Sequence, residues 1–340
     1  MIHKVRDAKN LILLGGLAGL VTCSVLILLM VQIYQPYKGY EESHQLIVIQ
    51  RGSRVPQIAR TLESHGIVRS SWLFEWYARL SHRPLVLQAG EYRFEGPVNL
   101  PTVTEKLRTG LVHHYRVTIP EGLIMDEIAE RFMAQGFGTR EKFLEAMKRT
   151  ALINDWDSVA GENLEGYLFP DTYFVTRDMS EQQMVDAMVA NFQKVWTPER
   201  RKRAEELALT TRETITLASL IEKETALSSE RSLVSAVFHN RLRKNLKLAC
   251  DPTVIYAVRL VKEYDGVINQ SDLELDSPYN TYLYPGLPPG PIANPGLESI
   301  DAALYPAKAD YLYFVSTNDG RHLFSTSYRD HTQAVAQYQR

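Results

Sequence analysis

The sequence predicts an α+β protein behind a single N-terminal transmembrane helix, and three observations predict it. Leu11 to Val31 is an uncharged apolar run. A segment that reads as strand, turn and helix recurs 70 residues further on. Beyond the repeat, helical periods are interleaved with short strand patterns and one proline-rich loop. With 340 residues, 45% of them apolar and 23% charged, the chain is long enough for two or three domains, each with its own core. A net charge of -2 leaves no basic surplus for nucleic acid. Cys23 and Cys250 are the only cysteines, one in the apolar run and the other far along the chain, so neither a disulfide nor a cysteine-built zinc site is expected. The scattered histidines form no HExxH pair, so no metal and no cofactor is expected.

Residues 1–10 carry Lys4, Arg6 and Lys9. Residues 11–31 are long enough to cross a bilayer, which takes about 20 apolar residues as a helix. Because only Lys38 follows within residues 32–40, the positive-inside rule puts the N-terminus in the cytoplasm and everything after the span outside. A cleaved signal peptide has an apolar core of about 7 to 15 residues and then a small-residue cleavage site, and neither fits. Leu20-Val-Thr-Cys23 has the outline of a lipoprotein cleavage box, but apolar sequence continues past the cysteine. The run therefore reads as an uncleaved anchor, with 32–44 as a polar linker.

Residues 45–150 hold the repeat. Val48 to Gly66 aligns without gaps on Thr118 to Gly136, pairing Ile49 with Ile119, Gly52 with Gly122, Ile58 with Ile128, Ala59 with Ala129 and Gly66 with Gly136. Each copy reads as a short strand, a glycine turn and an amphipathic helix stopped by glycine. A second short helix follows, where Leu73-Phe74-Glu75 matches Phe143-Leu144-Glu145. Two copies do not make a solenoid. The pattern resembles the LysM type of module that binds N-acetylglucosamine polymers; a duplicated packing unit that binds nothing would read the same way. Between the copies, Gly90 to Phe94 reads as a strand and Thr102 to Thr109 as a helix ended by Gly110.

Residues 151–340 form the remaining domain. Gly166 to Phe174 is an aromatic-rich turn and strand holding one acid, Asp171, and helices are expected over Met179–Trp196 and from Pro198 to Leu207. The chemistry is expected in the helix Thr214 to Ser228. Setting Leu217 to zero at about 100° per residue, Leu220, Ile221 and Leu227 fall at about 300°, 40° and 280°, with Glu224 among them at about 340°. Glu222 and Lys223, at about 140° and 240°, are expected to reach water. A glutamate aimed at apolar packing has its pKa raised by desolvation, as a general acid working near neutral pH requires. A carboxylate at the core rim, paired with an arginine, would give the same pattern.

A further helix from about Ser232 to Asn245 is apolar on two sides and hence buried, so Asn240 must be hydrogen-bonded, either to backbone or to a substrate amide or hydroxyl. Arg241 beside it could pair with Glu230. Asp251-Pro252 reads as an N-cap and first helical position, with Asp251 also a candidate for a cleft wall. Pro278 to Gly296, with five prolines besides Pro278 and with Tyr279, Tyr282 and Tyr284, is a stiffened loop of the kind that packs on sugar rings or merely covers a core. Tyr311 to Val315 and His322 to Ser325, joined through Asn318-Asp-Gly320, read as a β-hairpin.

Taken together, Ala218-Ser-Leu-Ile-Glu-Lys-Glu-Thr225, Ser229-Glu-Arg231, Val237-Phe-His-Asn-Arg-Leu242, Asp251-Pro-Thr-Val-Ile-Tyr256, Tyr279-Asn-Thr-Tyr282, Gly286-Leu-Pro-Pro-Gly290 and Tyr311-Leu-Tyr-Phe-Val315 closely resemble the YceG-like family. These are endolytic murein transglycosylases of the bacterial inner membrane. His239 departs from the apolar residue expected at its place. The resemblance implies a single-pass inner-membrane protein with a periplasmic catalytic domain at 151–340. It would cleave the β-1,4 bond between N-acetylmuramic acid and N-acetylglucosamine in nascent peptidoglycan and leave 1,6-anhydro ends. The family's catalytic glutamate matches Glu224, and the substrate side would draw on Glu230, Asn240, Arg241 and Asp251, with Tyr279, Asn280, Thr281 and Tyr282 from the loop. Peptidoglycan strands would be its substrate and peptidoglycan synthases its neighbours. A lysozyme-like hydrolase, with Glu230, Asp171 or Asp251 as second carboxylate, and a glycan-binding scaffold without catalysis remain the alternatives.

Overall fold

The computed structural model describes residues 2–81, 84–157 and 161–339, with side chains from Leu14 onward. Lys4, Arg6 and Lys9, on which the orientation of the span rests, have side chains outside that description. The chain forms two compact units, Met1–Tyr115 with Thr176–Asp178, and Arg116–Val175 with Met179–Arg340.

In the first unit, α1 (Ile2–Tyr34) contains 21 residues from Leu14 to Tyr34 that are long and apolar enough to cross a membrane. Its final turns are different, because Ile33 is buried in the core of this unit and Leu29 packs against it. The expected linker 32–44 is correspondingly tied down. Tyr37 bridges to Val98 through two backbone hydrogen bonds of 2.9 and 3.0 Å, Gly39 N donates to Gly66 O at 2.8 Å, and the Tyr40 hydroxyl donates to Phe94 O and Gly96 O. Tyrosines supply an apolar body to pack and a hydroxyl to anchor, so this polar stretch becomes part of the unit rather than a tether.

Strand β1 (His44–Ile49) pairs antiparallel with the later β2 (Gly90–Glu95), Ile47 facing Tyr92, and α2 (Val55–Ser64) and α3 (Ser71–Ser81) lie between them in sequence. Alternation along the strands buries Ile47, Ile49, Tyr92 and Phe94 against Ile58, Ala59 and Leu62 of α2 and Leu73, Phe74 and Ala78 of α3. Helix α4 (Leu100–Thr109) starts on Asn99, whose side chain accepts from Thr102 N, and ends at Gly110 in the left-handed conformation.

The second unit opens with β3 (Tyr115–Thr118), α5 (Met125–Met133) and α6 (Arg140–Ala146). Ile128, Ala129, Phe132 and Phe143 are buried at the positions that Ile58, Ala59, Leu62 and Leu73 hold in the first copy, so the repeat is structural. Sequence placed both copies in one region ending at 150. The observed boundary assigns the second copy to the larger unit, because β3 pairs with β4 (Thr172–Val175), which belongs there.

Then follow α7 (Glu181–Val195), α8 (Pro198–Glu206), α9 (Thr211–Glu224), α10 (Ser228–Arg243), α11 (Asp251–Arg259), α12 (Gln270–Leu273), α13 (Leu297–Leu304), the antiparallel hairpin β5 (Tyr313–Ser316) and β6 (His322–Ser325), and α14 (Tyr328–Tyr338). Helix α14 was not expected. Ala334 is its one buried residue, too little for an apolar stripe. Thr210 and Glu213 cap α9 reciprocally, Thr210 Oγ1 accepting from Glu213 N at 3.1 Å and Glu213 Oε2 from Thr210 N at 2.8 Å. Thr214 to Ile221 are all buried, and α8, α10, α11 and α13 pack around this helix. It stops at Glu224 because Thr225 is extended, and Leu227, counted above in its stripe, instead precedes α10. His239 fits into its helix by bonding Ala303 O at 2.9 Å, and burial lowers its pKa, which keeps the ring neutral.

The proline-rich loop is pinned by Asn294. Its Oδ1 accepts from Gly166 N and Leu168 N, both at 2.9 Å, while its Nδ2 donates to Leu123 O at 2.9 Å and to Glu165 Oε1 at 2.7 Å. Gly166 has φ +89°, and a Cβ there would stand 2.4 Å from Pro291 Cγ, so only glycine serves the turn.

Candidate active site

Because α9 ends at Glu224, the carboxyl sits at a helix C-terminus, where the backbone dipole disfavours negative charge. It lines a cleft of about 400 Å³ together with Arg241, Asp251, Tyr282, Phe314, His322 and His331. Five separate stretches of chain meet there, from α10, the start of α11, the loop, the hairpin and α14. Desolvation pushes the Glu224 carboxyl up to about 7; a hydrogen bond with Cys250 holds it down, Asp251 pushes it up, and His322 and Arg241 favour the charged form. Cys250 is buried, and that burial pushes its own pKa well up, so it stays a thiol able to donate to Glu224.

Arg241 does not pair with Glu230. Its Nε donates to Leu312 O at 2.7 Å, its Nη1 to Leu248 O at 2.7 Å and Lys247 O at 3.2 Å, and its guanidinium lies 5.1 Å over the Tyr313 ring. Glu230 is in the first turn of α10 and Arg241 in the last, roughly 16 Å apart along the axis, too far to pair. Glu230 instead accepts from His322 twice, from the ring Nδ1 at 2.7 Å and from the backbone N at 3.0 Å. That clamp holds His322 in the cleft wall, and nothing in the sequence around His322 signalled it. Cys250, next to Asp251 in the chain, was missed for the same reason: only folding brings it to Glu224.

Asp251 is the first residue of α11 rather than its cap, with Cys250 one place before it, and it accepts from the Tyr282 hydroxyl at 2.5 Å. The other side chains expected against substrate are bonded to protein. Asn240 donates to Ala309 O and Tyr311 O, both at 2.8 Å, fixing the approach to β5. Asn280 donates to Leu273 O and Leu275 O and accepts from Tyr282 N, while the Thr281 hydroxyl accepts from Cys250 N and meets Thr253 Oγ1. Tyr279 packs on Tyr256, ring centroids 4.9 Å apart, off the cleft wall. Buried polar groups take the nearest backbone partners, and in doing so Asn280 and Thr281 set the positions of Tyr282 and Cys250. Asp171 is exposed at the start of β4, bonded to Thr172 N and Asn191, away from Glu224's cleft.

Glu222 also differs from expectation. Its side chain is only 7% exposed, accepting from Arg231 Nη2 at 3.2 Å and from Gly296 N at 2.9 Å. The wheel direction of Glu222 meets Arg231 of α10 and the start of α13 rather than water, so it leads to an ion pair, while Lys223 is exposed as expected.

A larger cavity, about 750 Å³, lies between α8, the start of α9 and Pro288-Pro289. Two of its acids are already committed, Asp157 to Arg212 and the Tyr167 hydroxyl, Glu213 to its capping box. Among the described residues, no group of three or more His, Cys, Asp or Glu could hold a metal ion.

The family model described as YceG-like family matches residues 47–337. A Bacillus subtilis protein named endolytic murein transglycosylase is 32% identical over 324 residues, covering 90% of this chain and 88% of that protein. A Streptococcus pneumoniae protein of the same name is 30% identical over 331 residues, and the match spans 89% of this chain but only 60% of that longer protein. A crystal structure of a YceG-like protein from Listeria monocytogenes, 31% identical, superposes with a TM-score of 0.59 over 86% of this chain and 99% of its own.

Proposed function

The chain belongs to the YceG-like family and is a lytic transglycosylase acting on peptidoglycan; from that premise we propose a membrane-anchored, endolytic enzyme that works through Glu224 alone. The bond cut is the β-1,4 link between N-acetylmuramic acid and N-acetylglucosamine in nascent strands. The observation that carries this reading is the desolvated carboxyl at the floor of the cleft, pushed up to about 7 and therefore able to be acid and base in one cycle. Protonated Glu224 gives its proton to the glycosidic oxygen as the C1–O bond breaks, and the N-acetylglucosamine side leaves as an alcohol. The muramic acid 6-hydroxyl then attacks C1 and passes its proton to the Glu224 carboxylate, which restores the acid and closes the 1,6-anhydro ring. Arg241 and His322 favour the transient carboxylate, and the Tyr282 and Phe314 rings offer faces for sugar packing. The strand, turn and helix repeat would hold glycan in the manner of a LysM module, and α1 would keep the enzyme in the inner membrane with the second unit in the periplasm, beside peptidoglycan synthases.

Asp251 supports a second reading, a hydrolase with two carboxylates in one cleft. The product ends separate them. Mass spectrometry of the muropeptides released from uncrosslinked strands should find anhydro ends; reducing ends would mean hydrolysis with Asp251 as partner, and no cleavage would leave a scaffold.

The pH dependence follows from the same residue. Cleavage needs the protonated carboxyl first, so kcat/KM should be level at low pH and fall about tenfold per pH unit above about 7. Removing the Cys250 hydrogen bond, which holds the pKa down, should move that fall to higher pH in Cys250→Ala. An unmoved profile would show that the thiol does not act on Glu224.

A further inference from the structure

We propose that α3 is a membrane-surface helix, with Trp72, Trp76 and Leu80 seated in the headgroup region of the outer leaflet beside the exit of α1. The inference rests on α1 being an anchor. Trp72, Trp76 and Leu80 stand four residues apart on one edge of α3 and are 66%, 43% and 60% exposed, while Leu73, Phe74 and Ala78 on the other face are in the core. Two tryptophans and a leucine bare to water in line are not accounted for by the packing of this unit.

The chain sets the height of the first turn of α3 relative to a bilayer. The run Leu11 to Val31 is about 31 Å long as a helix, matching a hydrocarbon core of about 30 Å, so Gln32 is at the outer interface. Gln32 and Gln35 line the same small crevice as Arg69, Ser70 and Leu73, which places the first turn of α3 at that level. No slack intervenes: Ile33 is in the unit's core, Tyr37 bridges to Val98, and Gly39 bonds Gly66 just before α3. Tyr34, exposed on the last turn of α1, joins the same belt. Arg69, held over the Tyr37 ring at 4.9 Å, and Arg79, paired with Glu75, are placed to meet phosphate groups. Indole rings concentrate at membrane interfaces because the body is apolar and the N–H wants water or headgroup oxygen. The first unit would then be held against the leaflet at two places, α1 and α3.

The test uses the full chain in vesicles of plain or brominated phosphatidylcholine. Bromine quenches tryptophan only at contact, so brominated lipid should remove about half of the emission, the share of Trp72 and Trp76 among the chain's four tryptophans. In the double variant Trp72→Phe with Trp76→Phe, emission should become insensitive to the lipid while flotation with vesicles is kept. A wild-type chain that floats with the vesicles but emits equally in both lipids overturns the proposal and leaves the anchor standing. A chain that does not float overturns both. Emission that ignores bromine but shifts on addition of soluble glycan strands overturns it in favour of a sugar-binding face.

Discussion

Glu224→Gln should lower strand cleavage by about a thousand-fold or more, since general acid–base catalysis by one group is worth about 100- to 10,000-fold and the proposed mechanism asks Glu224 to do both transfers. Glu222→Gln should keep most of the activity, because Glu222 faces Arg231 and Gly296 N and not the cleft. It should cost stability instead, about 1–3 kcal/mol, by weakening the set that Arg231 forms with Glu222, Glu298 and Glu121. Rates on isolated strands, with unfolding midpoints for both variants, decide the assignment; the opposite ranking of activities would exchange the two roles. The Glu224→Gln variant has a second signature. The folded pKa of Glu224 is about 7 against an ordinary 4.5, so its contribution to stability is full below 4.5 and is lost as pH rises through 7. Glu224→Gln should therefore melt a few degrees higher than wild type at pH 8 and equally at pH 4.

Asn294→Ala should strongly destabilise the second unit. Asn294 is 1% exposed and its side chain makes four hydrogen bonds, two accepted from the 166–168 turn and two donated, to Leu123 O and Glu165. Truncation strands two buried N–H groups, of Gly166 and Leu168, and it removes a donor from Glu165, whose carboxyl burial already pushes up to about 8, while Leu123 O keeps the backbone N–H of residue 294. At about 1–3 kcal/mol for each stranded group, the loss should reach about 4 kcal/mol, a large part of a domain's stability. Urea unfolding should show a lower midpoint at an unchanged slope. A loss below about 1 kcal/mol would mean that water replaces the amide.

Much of the fold was legible because its signals are local. The Leu11–Val31 run, the 70-residue repeat, the Gly110 end of α4 and the 318–320 turn each depend on a few adjacent residues. Helix ends read less well where burial overrode propensity: α10 begins at Ser228 although its apolar pattern appears only from Ser232. Helix α14 was invisible, having one buried residue to announce it.

Sequence alone singled out Glu224, since helical periodicity puts its carboxylate among leucines and isoleucine whatever surrounds the helix. It also determined which buried amides must find partners, without saying which partners. Tertiary structure decided the rest. It gave Asn240 and Asn280 to backbone carbonyls, Glu230 to His322 and Glu222 to Arg231, and it brought Cys250 to Glu224, and His322 and Tyr282 to the cleft, from stretches up to about a hundred residues away. The physical reason is range. Periodicity, capping and turn chemistry act over a few residues, whereas desolvation and hydrogen-bond satisfaction are set by whatever the folded chain packs alongside.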